Sequence, residues 1–192
     1  MTGGKRVTTG RTRRETLRQV AVAGLGGAVI SAAGLAVSAQ PAAADNQGSW
    51  RWCNRCQSLF YGAAGTAGAC PAGGGGHNSS GSFTYFIPYA PIYKTEAALF
   101  QHGWRWCRRC QSMFYGVGAV SRCALGGAHD GVGSADYVLD RVRGGQGGWR
   151  WCWRCQGLYY GPNNAVSRCP VGGRHGLRSS WDYNLPTDGQ PT

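Results

Sequence analysis

The chain has 192 residues, a formal charge of +12, 33 Gly and 9 Cys, with 15% of residues charged. Its 8 Trp, 9 Tyr and 5 Phe exclude the low-aromatic, high-charge composition of a disordered chain. So many cysteines are unusual for a cytosolic enzyme, and their spacing is the first thing to read.

Residues 1–44 carry the parts of a secretory signal peptide. Lys5, Arg6, Arg11, Arg13, Arg14 and Arg18 stand against Glu15, and an uncharged Ala/Gly-rich stretch runs from Val20 to Ala39. Small residues follow at Pro41-Ala42-Ala43-Ala44, where a signal peptidase cuts. A retained membrane anchor is the alternative, since 20 residues can span a bilayer; Gly24, Gly26, Gly27 and Gly34 weaken it. The run Thr12 to Arg18 resembles a twin-arginine signal through Arg13-Arg14, Leu17 and Arg18, and departs from it at Thr16, where that family has Phe. The resemblance implies a secreted protein, exported after folding by the twin-arginine machinery. Much of the positive charge then leaves with the leader.

Three repeats follow. Trp50-Arg51-Trp52-Cys53-Asn54-Arg55-Cys56-Gln57 recurs as Trp104-Arg105-Trp106-Cys107-Arg108-Arg109-Cys110-Gln111 and as Trp149-Arg150-Trp151-Cys152-Trp153-Arg154-Cys155-Gln156. Each continues to an aromatic run ending in Gly62, Gly116 or Gly161, then to a third Cys, a His, and a Tyr eight residues on (Tyr85, Tyr137, Tyr183). The expected organisation is module one at 45–88, a linker at 89–102, module two at 103–139, a linker at 140–147, module three at 148–186 and a flexible tail at 187–192. The extra length of unit one, Phe86 to His102, holds Pro88 and Pro91, a stretch from Thr95 to Phe100 suited to one helical turn, and His102, read as a linker residue, at its end.

Within a unit the pattern is β. W-R-W-C alternates, with both Trp on one face and Arg on the other. The aromatic run ends at a turn residue. Together they predict a hairpin with a metal knuckle at its tip, and the Tyr segment (81–87, 133–139, 179–185) predicts a third strand. The expected fold class is all-β, small and loop-rich. The three modules are either beads on linkers or packed with pseudo-threefold symmetry.

The cysteine spacings are C-x2-C-x13-C-x6-H, C-x2-C-x12-C-x5-H and C-x2-C-x13-C-x5-H. Two thiolates three residues apart close on one ion, and a second pair from another loop completes a tetrahedron. The candidate ligands are Cys53, Cys56, Cys70 and His77; Cys107, Cys110, Cys123 and His129; and Cys152, Cys155, Cys169 and His175. The cofactor implied is zinc, three structural ions. A unit this small buries too little apolar surface to fold alone, and a structural zinc contributes about 10–16 kcal/mol. Disulfides are the alternative for a secreted chain, but three Cys per unit leave one thiol unpaired in each. A thioredoxin-like role needs a βαβ context that these units lack. C-type haem needs His after C-x-x-C, and here the residue is Gln.

The Cys/His arrangement resembles zinc-ribbon or zinc-knuckle modules. The whole unit is similar to tandem repeats of secreted actinobacterial proteins, over nearly all of the chain after residue 44. That resemblance implies architecture and no activity.

No catalytic constellation is present. Seven acids are scattered after residue 44, so a glycosidase-type carboxylate pair is hard to assemble, and G-x-S-x-G and phosphate loops are missing. A zinc hydrolase needs an open metal position. The expectation is a non-enzyme. Trp153, where the other units have Asn54 and Arg108, and Trp181 are candidate ligand-binding aromatics. Arg51, Arg105 and Arg150 recur at one position, and Arg55, Arg109 and Arg154 at another. The leading reading is an extracellular polysaccharide or cell-surface ligand gripped by three weak sites together. The alternatives are an anionic-polymer or nucleic-acid binder using Arg and stacked aromatics, and a structural surface protein.

Overall fold

The computed structural model describes residues 46–89, 98–118, 120–142 and 144–189. The leader, and the helical turn expected from Thr95 up to residue 97, lie outside the described residues. Each unit contributes three antiparallel strands; those of unit one form a sheet of their own, and those of units two and three join into one six-stranded sheet through pairing of Asp140 with Asn184. In unit one, β1 (Asn46–Trp52) pairs with β2 (Leu59–Tyr61) and with β3 (Tyr85–Pro88). Unit two repeats this with β4 (Phe100–Trp106), β5 (Met113–Tyr115) and β6 (Tyr137–Asp140). Unit three does so with β7 (Gln146–Trp151), β8 (Leu158–Tyr160) and β9 (Tyr183–Leu185). The only helical element among the described residues is a 3-10 turn at Gly161–Val166.

The alternation expected of W-R-W-C is present, but the two Trp of a unit differ in depth. Trp50, Trp104 and Trp149 are fully buried; Trp52, Trp106 and Trp151 are half-buried. The first strand of each unit also starts earlier than the motif suggests. A register shift lies between Gln47 and Trp50, between Gln101 and Trp104, and between Gln146 and Trp149. The bulge residues Ser49, Gly103 and Gly148 sit at φ of 66°, 89° and 89°, a backbone state in which glycine carries no steric penalty. Strand β4 therefore begins inside the expected linker 89–102, and β6 ends and β7 begins inside the expected linker 140–147. His102, read as a linker residue, is a β4 residue whose Nε2 is buried without a hydrogen-bond partner. The sequence signal was poor because Gly- and Gln-rich segments have low strand propensity; pairing with the third strand overrides it.

The units are not beads. One core takes residues from all three: Trp50, Tyr85 and Ile87; Trp104, Tyr137 and Leu139; Trp149, Tyr183 and Leu185. The contacts between units run in a cycle. Trp50 meets Tyr137 edge-on at 5.2 Å, Trp104 meets Tyr183 at 5.4 Å, and Trp149 meets Tyr85 at 5.2 Å. Each of these Tyr hydroxyls donates to a Gln of the same neighbour: Tyr137 to Gln47, Tyr183 to Gln101, Tyr85 to Gln146. Burial raises the pKa of all three phenols, so they stay protonated donors. Backbone bonds close the ring in the other sense. Tyr61 N–H donates to Gln111, Tyr115 to Gln156 and Tyr160 to Gln57, at 2.8–2.9 Å. The arrangement is pseudo-threefold. Past module three, Thr84 N–H reaches the Asp188 carboxylate and Asp188 N–H returns to the Thr84 carbonyl. The start of the expected tail is thus bound to unit one.

A shared core predicts shared stability. Trp104→Ala removes a fully buried indole and is expected to cost about 3–5 kcal/mol. Thermal unfolding followed by circular dichroism should still show one transition, shifted down as a whole. A two-step curve, with two units surviving, would mean the units are independent.

Candidate metal centres

Each hairpin turns through C-x2-C, and the residue after the second Cys is held in the left-handed region: Gln57 at φ 71°, Gln111 at 67° and Gln156 at 67°. A non-glycine residue there carries strain, and the side chain is fixed from both ends. Its Oε1 accepts the indole N–H of Trp52, Trp106 or Trp151 at 2.9–3.0 Å. Its Nε2 donates to the carbonyl of Asn54, Arg108 or Trp153 at 2.8–3.1 Å. These glutamines shape the knuckle. Their recurrence was visible in the sequence; their role needed the turn geometry.

The Gly-rich loop brings the third Cys and the His over the knuckle. Arg55 donates to the carbonyls of Gly73, Gly74 and Gly76; Arg109 to Leu125, Gly126 and Ala128; Arg154 to Gly172 and Arg174. This recurring Arg is a clamp on the loop. The residue after each His closes the loop from the other side: the N–H groups of Asn78, Asp130 and Gly176 donate to Sγ of Cys53, Cys107 and Cys152 at 3.2–3.4 Å. An aromatic ring then stacks on each imidazole: Phe60 on His77 at 4.7 Å, Phe114 on His129 at 4.6 Å, Tyr159 on His175 at 4.5 Å.

The result is three groups: Cys53, Cys56, Cys70 and His77; Cys107, Cys110, Cys123 and His129; Cys152, Cys155, Cys169 and His175. In each, all ligand atoms lie within 4.8 Å of one another. The nine thiols are buried and none is joined in a disulfide. The Cys53–Cys70 and Cys152–Cys169 sulfurs are 3.9 Å apart, far beyond a disulfide bond of about 2.05 Å. The imidazole Nδ1 lies 3.4–3.5 Å from Sγ of Cys56, Cys110 or Cys155. A tetrahedral zinc with Zn–S of about 2.3 Å and Zn–N of about 2.0–2.1 Å sets S···S edges of about 3.8 Å and S···N edges of about 3.5 Å. The groups therefore fit such an ion, with Nδ1 as the imidazole ligand. Four protein ligands fill a tetrahedron, which is the pattern of a structural site.

The clusters share protons when no metal is bound. A hydrogen bond from Cys110, helped by His129 and the Asp130 N–H, holds Cys107 down to about 3. Cys110 likewise holds Cys123 down to about 5. Cys110 itself is pushed far up by its bonds to these two sulfurs and by burial. Burial alone would push His77 down, but bonds to Cys53 and Cys70 outweigh it and raise it to about 9. At neutral pH the cluster thus holds protons that an incoming metal must displace.

Trp153, in the third knuckle, is 45% exposed, with the Arg178 guanidinium 5.7 Å from its ring centroid. Trp181 is 38% exposed, with the Arg141 guanidinium 3.7 Å over its face. Arg105 pairs with Asp136 at 3.3 Å and Arg150 with Asp182 at 2.7 Å. Arg51 lines an open groove with Phe60, Thr66, His77 and Ser79. Comparison with known protein families, with curated proteins and with solved structures yields no match.

Native mass spectrometry of the folded protein is expected to show three zinc ions, and nine titratable thiols after denaturation with a chelator. Cys110→Ser should lower the metal count; three thiols or fewer in the unaltered chain would mean disulfides instead. Zinc added to metal-free protein at pH 7 should release more than one proton per ion, measured by calorimetry in buffers of different ionisation enthalpy. Because both thiols and imidazole bind metal only when deprotonated, affinity should fall as pH falls.

Proposed function

We propose that this chain is a secreted, non-enzymatic binding protein. Three structural zinc ions staple its knuckles, and exposed aromatics of unit three contact an extracellular polysaccharide or cell-surface glycan. The observation that carries the reading is the closed Cys3His set in each unit. Such a set gives a bound zinc no open position for water or substrate, so the metal serves the scaffold and recognition falls to the surface.

The surface favours stacking on sugars over a polyanion. Arg105 and Arg150 are ion-paired with Asp136 and Asp182, and Arg55, Arg109 and Arg154 donate to carbonyls of their own loops. These recurring arginines are thus engaged within the fold, which weakens the nucleic-acid alternative. Trp153, at the position of Asn54 and Arg108, lies along Gly176 and keeps 45% of its surface exposed, and an exposed indole face offers a large flat contact with few rotamers to freeze. Export through the twin-arginine route suits such a protein, because the metal is acquired in a reducing compartment before the thiols meet oxidant.

The test is retention of zinc-loaded protein, residues 45–192, on immobilised cell-wall polysaccharide. Trp153→Ala and Trp181→Ala, each with metal content unchanged, should weaken retention about 10-fold, equivalent to about 1.4 kcal/mol. Binding should change little between 50 and 300 mM salt, whereas a polyanion complex weakens steeply. Steep salt dependence, or retention of both variants equal to that of the unaltered protein, would overturn the reading.

A further inference from the structure

Where the three knuckles meet, a cavity of about 10 Å³ is lined by Ser58 of unit one, Ser112 and His129 of unit two, and Cys155, Gly157 and His175 of unit three. The knuckle strands touch around it through bridges between Ser58 and Tyr159, Phe60 and Ser112, and Phe114 and Gly157. It belongs to the pseudo-threefold assembly and to no single unit.

The three imidazoles are not equivalent around it. Each presents Nδ1 to its own thiol, leaving Nε2 for a second partner. A metal-bound imidazole is normally held there by a carbonyl, a carboxylate or water. His77 Nε2 has such partners in unit two: the Cys110 carbonyl and Ser112 Oγ, both at 3.1 Å. The repeat register puts Cys155 and Gly157 in the corresponding places for His129. Gly157 has no hydroxyl; for His175 the same register gives Cys56 and Ser58, and the Ser58 hydroxyl makes no bond to its Nε2. The Nε2 atoms of His129 and His175 are buried and without a hydrogen-bond partner.

We propose that this axial cavity is a binding site for one water molecule, which joins the imidazoles of metal centres two and three. The water accepts the Nε2–H of His129 and of His175 and stands where the missing hydroxyl at Gly157 would be. Its own protons turn to oxygen acceptors in the lining, where Ser58 and Ser112 supply hydroxyls. Through Ser112 the network reaches His77, so one hydrogen-bonded chain links all three centres.

Size and charge select the occupant. A single water needs about 10–15 Å³ and two to four polar partners, which matches this cavity and no larger ligand. Both nitrogens are donors once Nδ1 is on a metal, so a cation is repelled. Each zinc with three thiolates carries a net negative charge, so an anion among three such centres is disfavoured too. The inference rests on the metal-centre reading.

The experiment separates the two. Native mass spectrometry first counts zinc; fewer than three ions would sink the metal reading itself. With three ions present, a crystal structure at about 1.5 Å or better should show one ordered water within hydrogen-bond distance of both Nε2 atoms. A dry cavity, or a water reaching only one of them, would overturn the proposal. Two variants read the same point in solution. A Cβ at Gly157 would lie 3.3 Å from Cys155 Sγ, so the sulfur must give by a few tenths of an ångström, and that contact is common to any two variants with a Cβ there. Gly157→Ser restores the hydroxyl, and should keep three zinc ions and a higher Tm than the alanine variant. Gly157→Ala brings the same Cβ without a hydroxyl, and its Tm should lie about 3 °C or more below that of Gly157→Ser. Equal Tm for the two variants would show that the hydroxyl position carries no hydrogen-bonding role.

Discussion

The structure depends on an exchange of aromatics. Trp50, Trp104 and Trp149 are fully buried, yet each meets edge-on a Tyr from another unit: Tyr137, Tyr183 and Tyr85. A unit of this size has too little apolar surface to enclose an indole alone. The ring of exchanges makes one core from three insufficient ones, and it explains why the tyrosine eight residues after each histidine recurs. The phenol reaches over the neighbour's indole to a glutamine just before that neighbour's bulge, so the bulge sets the depth to which the strand enters the core.

The metal clusters sit at the opposite end of the same strands. Short β2, β5 and β8 run from knuckle to core, so whatever fixes a knuckle also fixes the position of Trp50, Trp104 or Trp149. Coupling between units continues at this end. The N–H groups of Ala69, Arg122 and Arg168, each just before a third Cys, donate to the carbonyls of Cys110, Cys155 and Cys56 in the next unit. Each ligand loop is therefore braced by its neighbour's knuckle.

Quasi-equivalence also locates where the units have been free to differ. Asn54, Arg108 and Trp153 occupy one knuckle position, where the residue type varies widely and each side chain meets a different partner: the Ser80 carbonyl, the Asp130 carboxylate and the backbone at Gly176. Asp136 and Asp182 hold the bulge N–H groups of Gly103 and Gly148 at 2.7 Å, while unit one has Thr84 there and Ser49 at the bulge. Ser58, Ser112 and Gly157 face the axis, where a single missing hydroxyl changes the surroundings of a neighbouring imidazole. The Trp, Tyr and aliphatic positions of the shared core, by contrast, keep their chemistry in all three copies.

The sequence alone determined the repeat, the Cys3His sets, the strand character of W-R-W-C and the third strand ending each unit. These are local or strictly periodic features: spacing between ligands and alternation along a strand are properties of one chain segment. The recurrence of Arg55, Arg109, Arg154 and of Gln57, Gln111, Gln156 was equally visible, but not their roles. A guanidinium that clamps loop carbonyls and an amide that pins a left-handed residue are defined by backbone direction, which composition does not encode. Only the tertiary structure decided that the units share a core, that β4 begins before its motif, and that His102 lies in a strand. Those outcomes depend on pairing between residues far apart in the chain, and the energy of such pairing is collected only when all three units close on one another.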